Sequence, residues 1–256
     1  MQDLKVTLMQ TALHWEQPDA NRAMLAEKIA RCGETDLIVL PEMFTTGFSM
    51  NAPAHAEPAD GPTLAWLAGQ AAERKAVITG SVMVSVDGGY RNRLFWMPPN
   101  GRYSYYDKRH LFRMAGEHEH YQSGSDRLIV ELNGWRICPL ICYDLRFPVF
   151  SRNRGDYDLL VYIAEWPAPR RRHWQTLLAA RAIENLSYVV GVNVVGDDGV
   201  GHHYSGDSTA VTMAGDILLT GAEQEFCQTV TLGAAALSDW RRQLPFHIDA
   251  DAFEIS

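Results

Sequence analysis

Apolar and polar positions alternate through Leu4-Lys5-Val6-Thr7-Leu8-Met9-Gln10, the period of a strand. From Asp19 to Cys32 the apolar residues Met24, Leu25, Ile29 and Ala30 recur at helical spacing, which predicts a helix there. Asp36-Leu37-Ile38-Val39-Leu40 is a short continuous apolar run, the pattern of a strand buried on both faces. The pattern then predicts a helix over Gly61 to Arg74 and a strand over Lys75 to Val86. Tyr90 to Met97, a Pro-Asn-Gly turn at 99–101 and Tyr103 to Lys108 read as a hairpin.

The second half has the same texture. Trp135 to Cys142 reads as a strand, and Pro148 to Arg154 as a short helix that starts with Pro and is closed by Gly155. Asp158 to Ile163 is another buried strand, Trp174 to Asn185 a helix and Ser187 to Val195 strand-like. Ser208 to Leu219, turned at Gly215-Asp216, and Phe226 to Leu232 add further β structure. Strands alternating with helices, with hairpins between, imply an α/β layered fold with mixed sheets. No repeat, low-complexity tract or linker divides the chain, so residues 1–256 are expected to form one domain.

Composition narrows the function more than the fold. Of the residues, 46% are hydrophobic and 21% charged, an ordinary globular balance. The charge sum, 23 − 31 = −8, argues against nucleic acid and against docking on an anionic membrane. No stretch approaches the ~18 consecutive apolar residues of a membrane span. The N-terminus shows no basic flank followed by an apolar run, so a cytoplasmic protein is expected. Cys32, Cys138, Cys142 and Cys227 are too few for a disulfide framework and read as free thiols. The cysteine question becomes which of them is reactive.

Active sites of layered α/β proteins sit where strands end. Three strand ends carry residues whose chemistry fits together: Glu42 after Leu37-Ile38-Val39-Leu40-Pro41, Lys108 after Tyr103-Ser104-Tyr105-Tyr106-Asp107, and Cys142 after Ile137-Cys138-Pro139-Leu140-Ile141. A thiol at a strand-to-helix turn is expected to gain from helix N–H groups and an adjacent cation, which favour the thiolate. A buried structural cysteine is the alternative. Glu42, just past a buried strand, is expected to be partly buried and suited to proton transfer. An exposed cap and a solvated charged turn are the plainer readings of Glu42 and Lys108; their combination with Cys142 favours function.

At these residues the sequence resembles the nitrilase superfamily, the carbon–nitrogen hydrolases with a Glu–Lys–Cys triad. The matching blocks are Leu40-Pro41-Glu42-Met43-Phe44, Tyr106-Asp107-Lys108-Arg109-His110-Leu111-Phe112 and Ile141-Cys142-Tyr143-Asp144-Leu145-Arg146-Phe147-Pro148. They occur in the family's order, and their flavour is that of the omega-amidase branch. The resemblance implies a four-layer α-β-β-α sandwich that pairs as a homodimer and needs no cofactor. It implies Cys142 as nucleophile, Glu42 as general base and then acid, and Lys108 with the backbone N–H of Tyr143 at the oxyanion. It also implies a second glutamate, Glu117 or Glu119; counting back from Gly124 favours Glu117, although Ser123 stands where the family has Pro.

The branch resemblance implies an amidase that hydrolyses the terminal amide of a small omega-amido (2-oxo) acid such as 2-oxoglutaramate and releases ammonia. Arg146 is a candidate for the substrate carboxylate, or else a brace for the Cys142 turn. The aromatics Phe44, Tyr143 and Trp166 are candidates for the pocket wall. An N-carbamoyl amine or a nitrile is the rival substrate class, and a non-catalytic interaction protein is the rival kind of function. His118, Glu119 and His120 have the composition of a metal site but no third partner, so no metal is expected. Gly206-Asp207-Ser208-Thr209-Ala210 lacks the second Gly of a nucleophile elbow and reads as the start of a strand. Arg170-Arg171-Arg172-His173 reads as solvated surface or dimer contact.

Overall fold

In the computed structural model, which describes residues 1–255, strand β1 (Leu4–Gln10) is followed by helix α1 (Pro18–Arg31) and β2 (Leu37–Val39), which lies parallel to β1. Two short elements, α2 (Ala52–His55) and β3 (Glu57–Pro58), precede α3 (Pro62–Arg74) and β4 (Val77–Val86). The antiparallel strands β5 (Gly89–Met97) and β6 (Ser104–Asp107) complete this part of the sheet, in the order β1-β2-β4-β5-β6 with β3 on β4.

A single helical turn, α4 (Glu117–His120), leads into the second half, where β7 (Val130–Leu132) and β8 (Trp135–Ile141) form a hairpin. Then come α5 (Pro148–Ser151), β9 (Leu159–Ile163), α6 (Arg171–Asn185) and β10 (Tyr188–Val192). The small ribbon of β11 (Val195–Asp197) and β12 (His203–Ser205) precedes β13 (Thr209–Val211) and β14 (Ile217–Thr220). The second sheet runs β14-β13-β10-β9-β8-β7. Finally β15 (Phe226–Leu232) returns to the first sheet, antiparallel to β1 with Leu4 opposite Leu232, and α7 (Ala234–Gln243) follows.

Side-chain alternation on the central strands sets the layers. On β2, Leu37 and Val39 join the cluster that also holds Ile137, Leu140, Val189 and Val190 of the second sheet. Ile38 and Leu40 point the other way, into a cluster with Leu25 and Ile29 of α1 and Leu67 and Ala71 of α3. The continuous apolar run is thus buried on both faces, because successive side chains of a strand face opposite sides. On the far side, Trp174 and Leu178 of α6 press on β10 at Gly191, where a Cβ would lie 2.6 Å from the Leu178 side chain. The result is a four-layer α-β-β-α sandwich.

The structure departs from the sequence-based expectation at several ends. The helix expected over 148–154 stops at Ser151. The strand expected over 187–195 breaks after Val192, because Asn193 leaves the ladder. Its side chain instead accepts the Trp166 N–H at 2.7 Å and donates to the carbonyls of Trp166 and Gly206. Thr209 starts β13, as expected for that run.

Candidate active site

Glu42 follows β2 at the end of the first sheet and is fully buried. Met43, next to it, takes the left-handed conformation (φ 40°) that residues with a Cβ rarely adopt. Its N–H donates to Ser81 Oγ at 2.9 Å, and Phe44 N–H donates to the Ser81 carbonyl at 3.1 Å, which holds the turn. Phe44 itself does not wall the cavity. It turns into the helical layer, 5.8 Å from the Trp66 ring centroid, over Gly80, where a Cβ would lie 2.8 Å from the Phe44 ring.

Lys108 follows β6 and is also buried. Its N–H donates to the Asn92 carbonyl on β5 at 3.0 Å, and its own carbonyl accepts the Gly124 N–H at 3.0 Å. Gly124 packs so closely that a Cβ would lie 2.2 Å from the Asp107 carbonyl oxygen. This close approach fixes the loop in which Glu117 lies. Glu117 is fully buried, whereas Glu119 is exposed.

The three charged groups meet at one point. Lys108 Nζ donates to Glu42 Oε1 at 2.8 Å and to both Glu117 oxygens at 2.9 Å. Asn92 Nδ2 donates to Glu42 Oε1 at 2.8 Å and Glu117 Oε1 at 3.4 Å, and Glu42 Oε2 accepts the Glu165 N–H at 2.9 Å. Burial would push the ammonium down, but Glu117 and Glu42 outweigh it and hold Lys108 above its ordinary value. Burial, with a smaller contribution from Glu42, raises Glu117 against the pull of Lys108.

Cys142 lies at the second sheet's edge with φ 42°, at the head of a 3-10 turn over Cys142–Arg146. Asp144 clamps that turn. Its carboxylate accepts Ile141 N–H at 3.0 Å, Tyr106 OH at 2.7 Å and His110 N–H at 3.1 Å, and pairs with His110 Nδ1 at 2.7 Å. The thiol donates to the Glu165 carbonyl at 3.9 Å, and it lies within the electrostatic reach of Glu42. The expectation of a low-pKa thiolate is overturned here. Burial first, and the Glu42 charge second, hold Cys142 well above the ordinary thiol value despite Lys108. The turn after it is a single 3-10 segment, too short to supply the N-terminal field of a full helix.

Cys142 opens into a cavity of about 410 Å³. Tyr143, Arg146 and Trp166 line it, with Phe48, Phe112 and Tyr204 as further aromatic walls. Arg146 does not brace the Cys142 turn. It stacks over the Trp166 ring at 4.7 Å, and its guanidinium reaches His173 Nδ1 at 3.1 Å. Arg170 lies over the Phe112 ring at 5.3 Å, so one member of the basic run faces the cavity rather than solvent. Burial and the Arg170 charge hold Arg146 below its ordinary value, which marks two cations drawn close together. Arg171 instead pairs with Asp207 and Glu223.

The sequence did not single out Asn92, Glu165, Phe48 or Tyr204, and it suggested solvated surface or dimer contact for Arg170. Asn92 gave no signal in the pattern, because it stands between Arg91 and Arg93 in the polar half of β5. His118 and His120 lie on the helical turn α4, and among the described residues no group of three or more His, Cys, Asp or Glu is arranged to hold a metal.

The carbon–nitrogen hydrolase family matches residues 5–242. The chain belongs to that family. It is 48% identical over 256 residues, all of both chains, to omega-amidase YafV of Escherichia coli (strain K12). To the 2-oxoglutaramate amidase of Bacillus subtilis (strain 168) it is 32% identical over 219 residues, 84% of each chain. Among solved structures, a CN-hydrolase superfamily protein of Xanthomonas campestris, with an arsenic adduct in its active site, superposes with a TM-score of 0.98. It is 47% identical, and both chains are covered in full. Saccharomyces cerevisiae Nit3, a nitrilase-superfamily member, shares the fold at 23% identity, with a TM-score of 0.88 over 95% of each chain. This hydrolase is therefore an enzyme of carbon–nitrogen bonds built on the nitrilase sandwich.

Proposed function

We propose that the hydrolase is an omega-amidase, which cleaves the terminal amide of small omega-amido (2-oxo) acids such as 2-oxoglutaramate. The observation that carries this reading is the buried meeting of Glu42, Lys108 and Glu117 beside Cys142, which itself opens into a cavity also lined by Arg146 and Arg170. The full-length similarity to an omega-amidase and the similarity to a 2-oxoglutaramate amidase support the substrate class.

In this reading the Cys142 thiol passes its proton to Glu42 as sulfur attacks the amide carbon, which makes the nucleophile at the moment of need. The C=O electron pair moves to oxygen, and the oxyanion forms near the Lys108 ammonium and the Tyr143 N–H. Glu42 returns the proton to nitrogen, ammonia leaves and a Cys142 thioester remains. Water, deprotonated by Glu42, attacks the thioester; the tetrahedral intermediate collapses to the acid and the Cys142 thiol. Glu117 and Asn92 hold Lys108 and Glu42 in register throughout. The arginine pair receives the distal carboxylate, where bidentate guanidinium contacts suit it.

A homodimer in the cytoplasm belongs to the same reading. Val149 on α5 and Ile183 on α6 are exposed apolar residues suited to a subunit contact. Among the described residues no helix is long and apolar enough to cross a membrane.

Ammonia release from a panel of short omega-monoamides, N-carbamoyl amines and nitriles tests the proposal. Turnover is expected for the 2-oxo monoamides, and Cys142→Ala should lower it by at least about 10⁴-fold with the fold intact. Turnover of carbamoyl compounds or nitriles alone would overturn the substrate assignment. Full activity in folded Cys142→Ala would overturn the nucleophile.

A further inference from the structure

The mechanism uses only the backbone of Glu165, yet its side chain is the one acidic group on the cavity wall that the catalytic cluster does not account for. Glu165 is 5% exposed, and its Oε1 is enclosed with no hydrogen-bond partner. Its peptide N–H donates to Glu42 Oε2 at 2.9 Å and its carbonyl lies 3.9 Å from Cys142 Sγ, so the carboxyl sits on the cavity wall beside Cys142. A buried polar oxygen without a partner costs free energy, so a protein keeps one where something arrives to satisfy it.

The charge balance fixes the form of this group. Lys108 is the cation of the cluster, and Glu42 and Glu117 already occupy it. The other groups that face Glu165 electrostatically are Glu42, Asp198 and Tyr204, with Lys108 as the opposing charge, and Tyr204 OH is itself bound to Asp198 at 3.0 Å. A third carboxylate anion here would be desolvated and face two more anions, so the group is held protonated well above its ordinary value, first by burial and then by Glu42. A protonated carboxyl has one donor, its O–H.

We propose that Glu165 is a specificity-determining residue, a neutral carboxylic acid on the cavity wall whose O–H donates a hydrogen bond to a carbonyl oxygen of the substrate. This assignment rests on the omega-amidase reading and deepens it. A 2-oxo group supplies an acceptor for that O–H. A 2-amino group is an ammonium at neutral pH; it can only donate, and a neutral acid offers it no counter-charge. Glu165 thereby favours 2-oxo omega-amides over their 2-amino counterparts.

Steady-state kinetics on a 2-oxo omega-monoamide and its 2-amino counterpart, for wild type, Glu165→Gln and Glu165→Ala, test the assignment. Glu165→Ala should lower the ratio of the two kcat/KM values by about tenfold, chiefly through a higher KM for the 2-oxo compound. Glu165→Gln, which keeps a neutral donor, should hold the ratio within about threefold of wild type. The infrared difference spectrum of wild type minus Glu165→Gln should contain a protonated carboxyl C=O band at about pH 7. A carboxylate band in its place, or an unchanged ratio in Glu165→Ala, would overturn the role of Glu165 and leave the omega-amidase reading standing. A wild-type enzyme that hydrolyses neither compound would instead overturn that reading and this assignment with it.

Discussion

A nucleophile that is buried beside its own base behaves differently from one that rests as a thiolate. In Cys142 the thiol is held up by burial and by the Glu42 charge, so little thiolate exists at neutral pH and the proton must move during attack. The sign of the Glu42 effect gives a test. Removing its charge takes away an influence that raises the thiol, so Glu42→Gln should shift the Cys142 titration to lower pH while ammonia release falls by about 10²- to 10⁴-fold. Reactivity toward iodoacetamide and turnover would thus move in opposite directions. Alkylation of Cys142 followed by mass spectrometry across pH reads this directly. In wild type the rate should still be climbing at about pH 9, above the ordinary thiol range. A plateau below about pH 7 would mean a resting thiolate and would contradict the base role of Glu42.

At the scale of elements, the strand ends carry the site because the turns after them are over-determined. Both Met43 and Cys142 take left-handed backbone conformations, each worth about 1–3 kcal/mol of strain in a non-glycine residue. Asp144 offsets that strain at Cys142 by tying β8, β6 and the loop after β6 together through Ile141, Tyr106 and His110. Asp144→Ala is therefore expected to cost about 2–4 kcal/mol, because it strands buried donors. Activity should fall with it even below the melting temperature, since Sγ would lose its fixed direction. Thermal unfolding and kcat measured on the same preparation check both effects; a destabilised variant with wild-type kcat would contradict the clamp.

The same elements explain what could be seen in advance. Glu42 and Cys142 were legible as polar residues at the ends of apolar runs, whereas Lys108, within Asp107-Lys108-Arg109-His110, became legible only in combination with them. The β7–β8 hairpin was missed although Asn133-Gly134 stands at its turn with φ 52° and 82°, the conformation that this pair favours. Glu165 and Arg170 were not legible by pattern. What distinguishes them is which wall of the cavity they face, and that depends on Asn193 pulling β10 out of its ladder to brace Trp166, a contact between residues 27 positions apart.

For the whole molecule, the net charge of −8 opposes an anionic substrate, and Lys108 does not relieve it. Glu42 and Glu117 both pair with its ammonium, so the buried cluster leaves no free cation for a distant carboxylate. In the proposed reading the attraction comes from Arg146 and Arg170 in the cavity wall, close enough to each other that a bound carboxylate would ease their repulsion. The two fields respond to salt with opposite signs. The global field acts over distances beyond the Debye length of about 8–10 Å at physiological ionic strength, so added salt would screen the repulsion and lower KM. The arginine pair acts at contact, where salt competes with the substrate carboxylate and raises KM. Local contacts should win, because charge-assisted hydrogen bonds contribute more than screened charges across the molecule. The KM for an anionic omega-amide should therefore rise with sodium chloride, while that for a neutral amide of equal length stays within about twofold. Arg170→Gln should raise the anionic KM by about tenfold and flatten its salt dependence, with little effect on the neutral amide. A KM that falls with salt in the wild type would mean that the molecule's overall charge, not the arginine pair, governs how the substrate is captured.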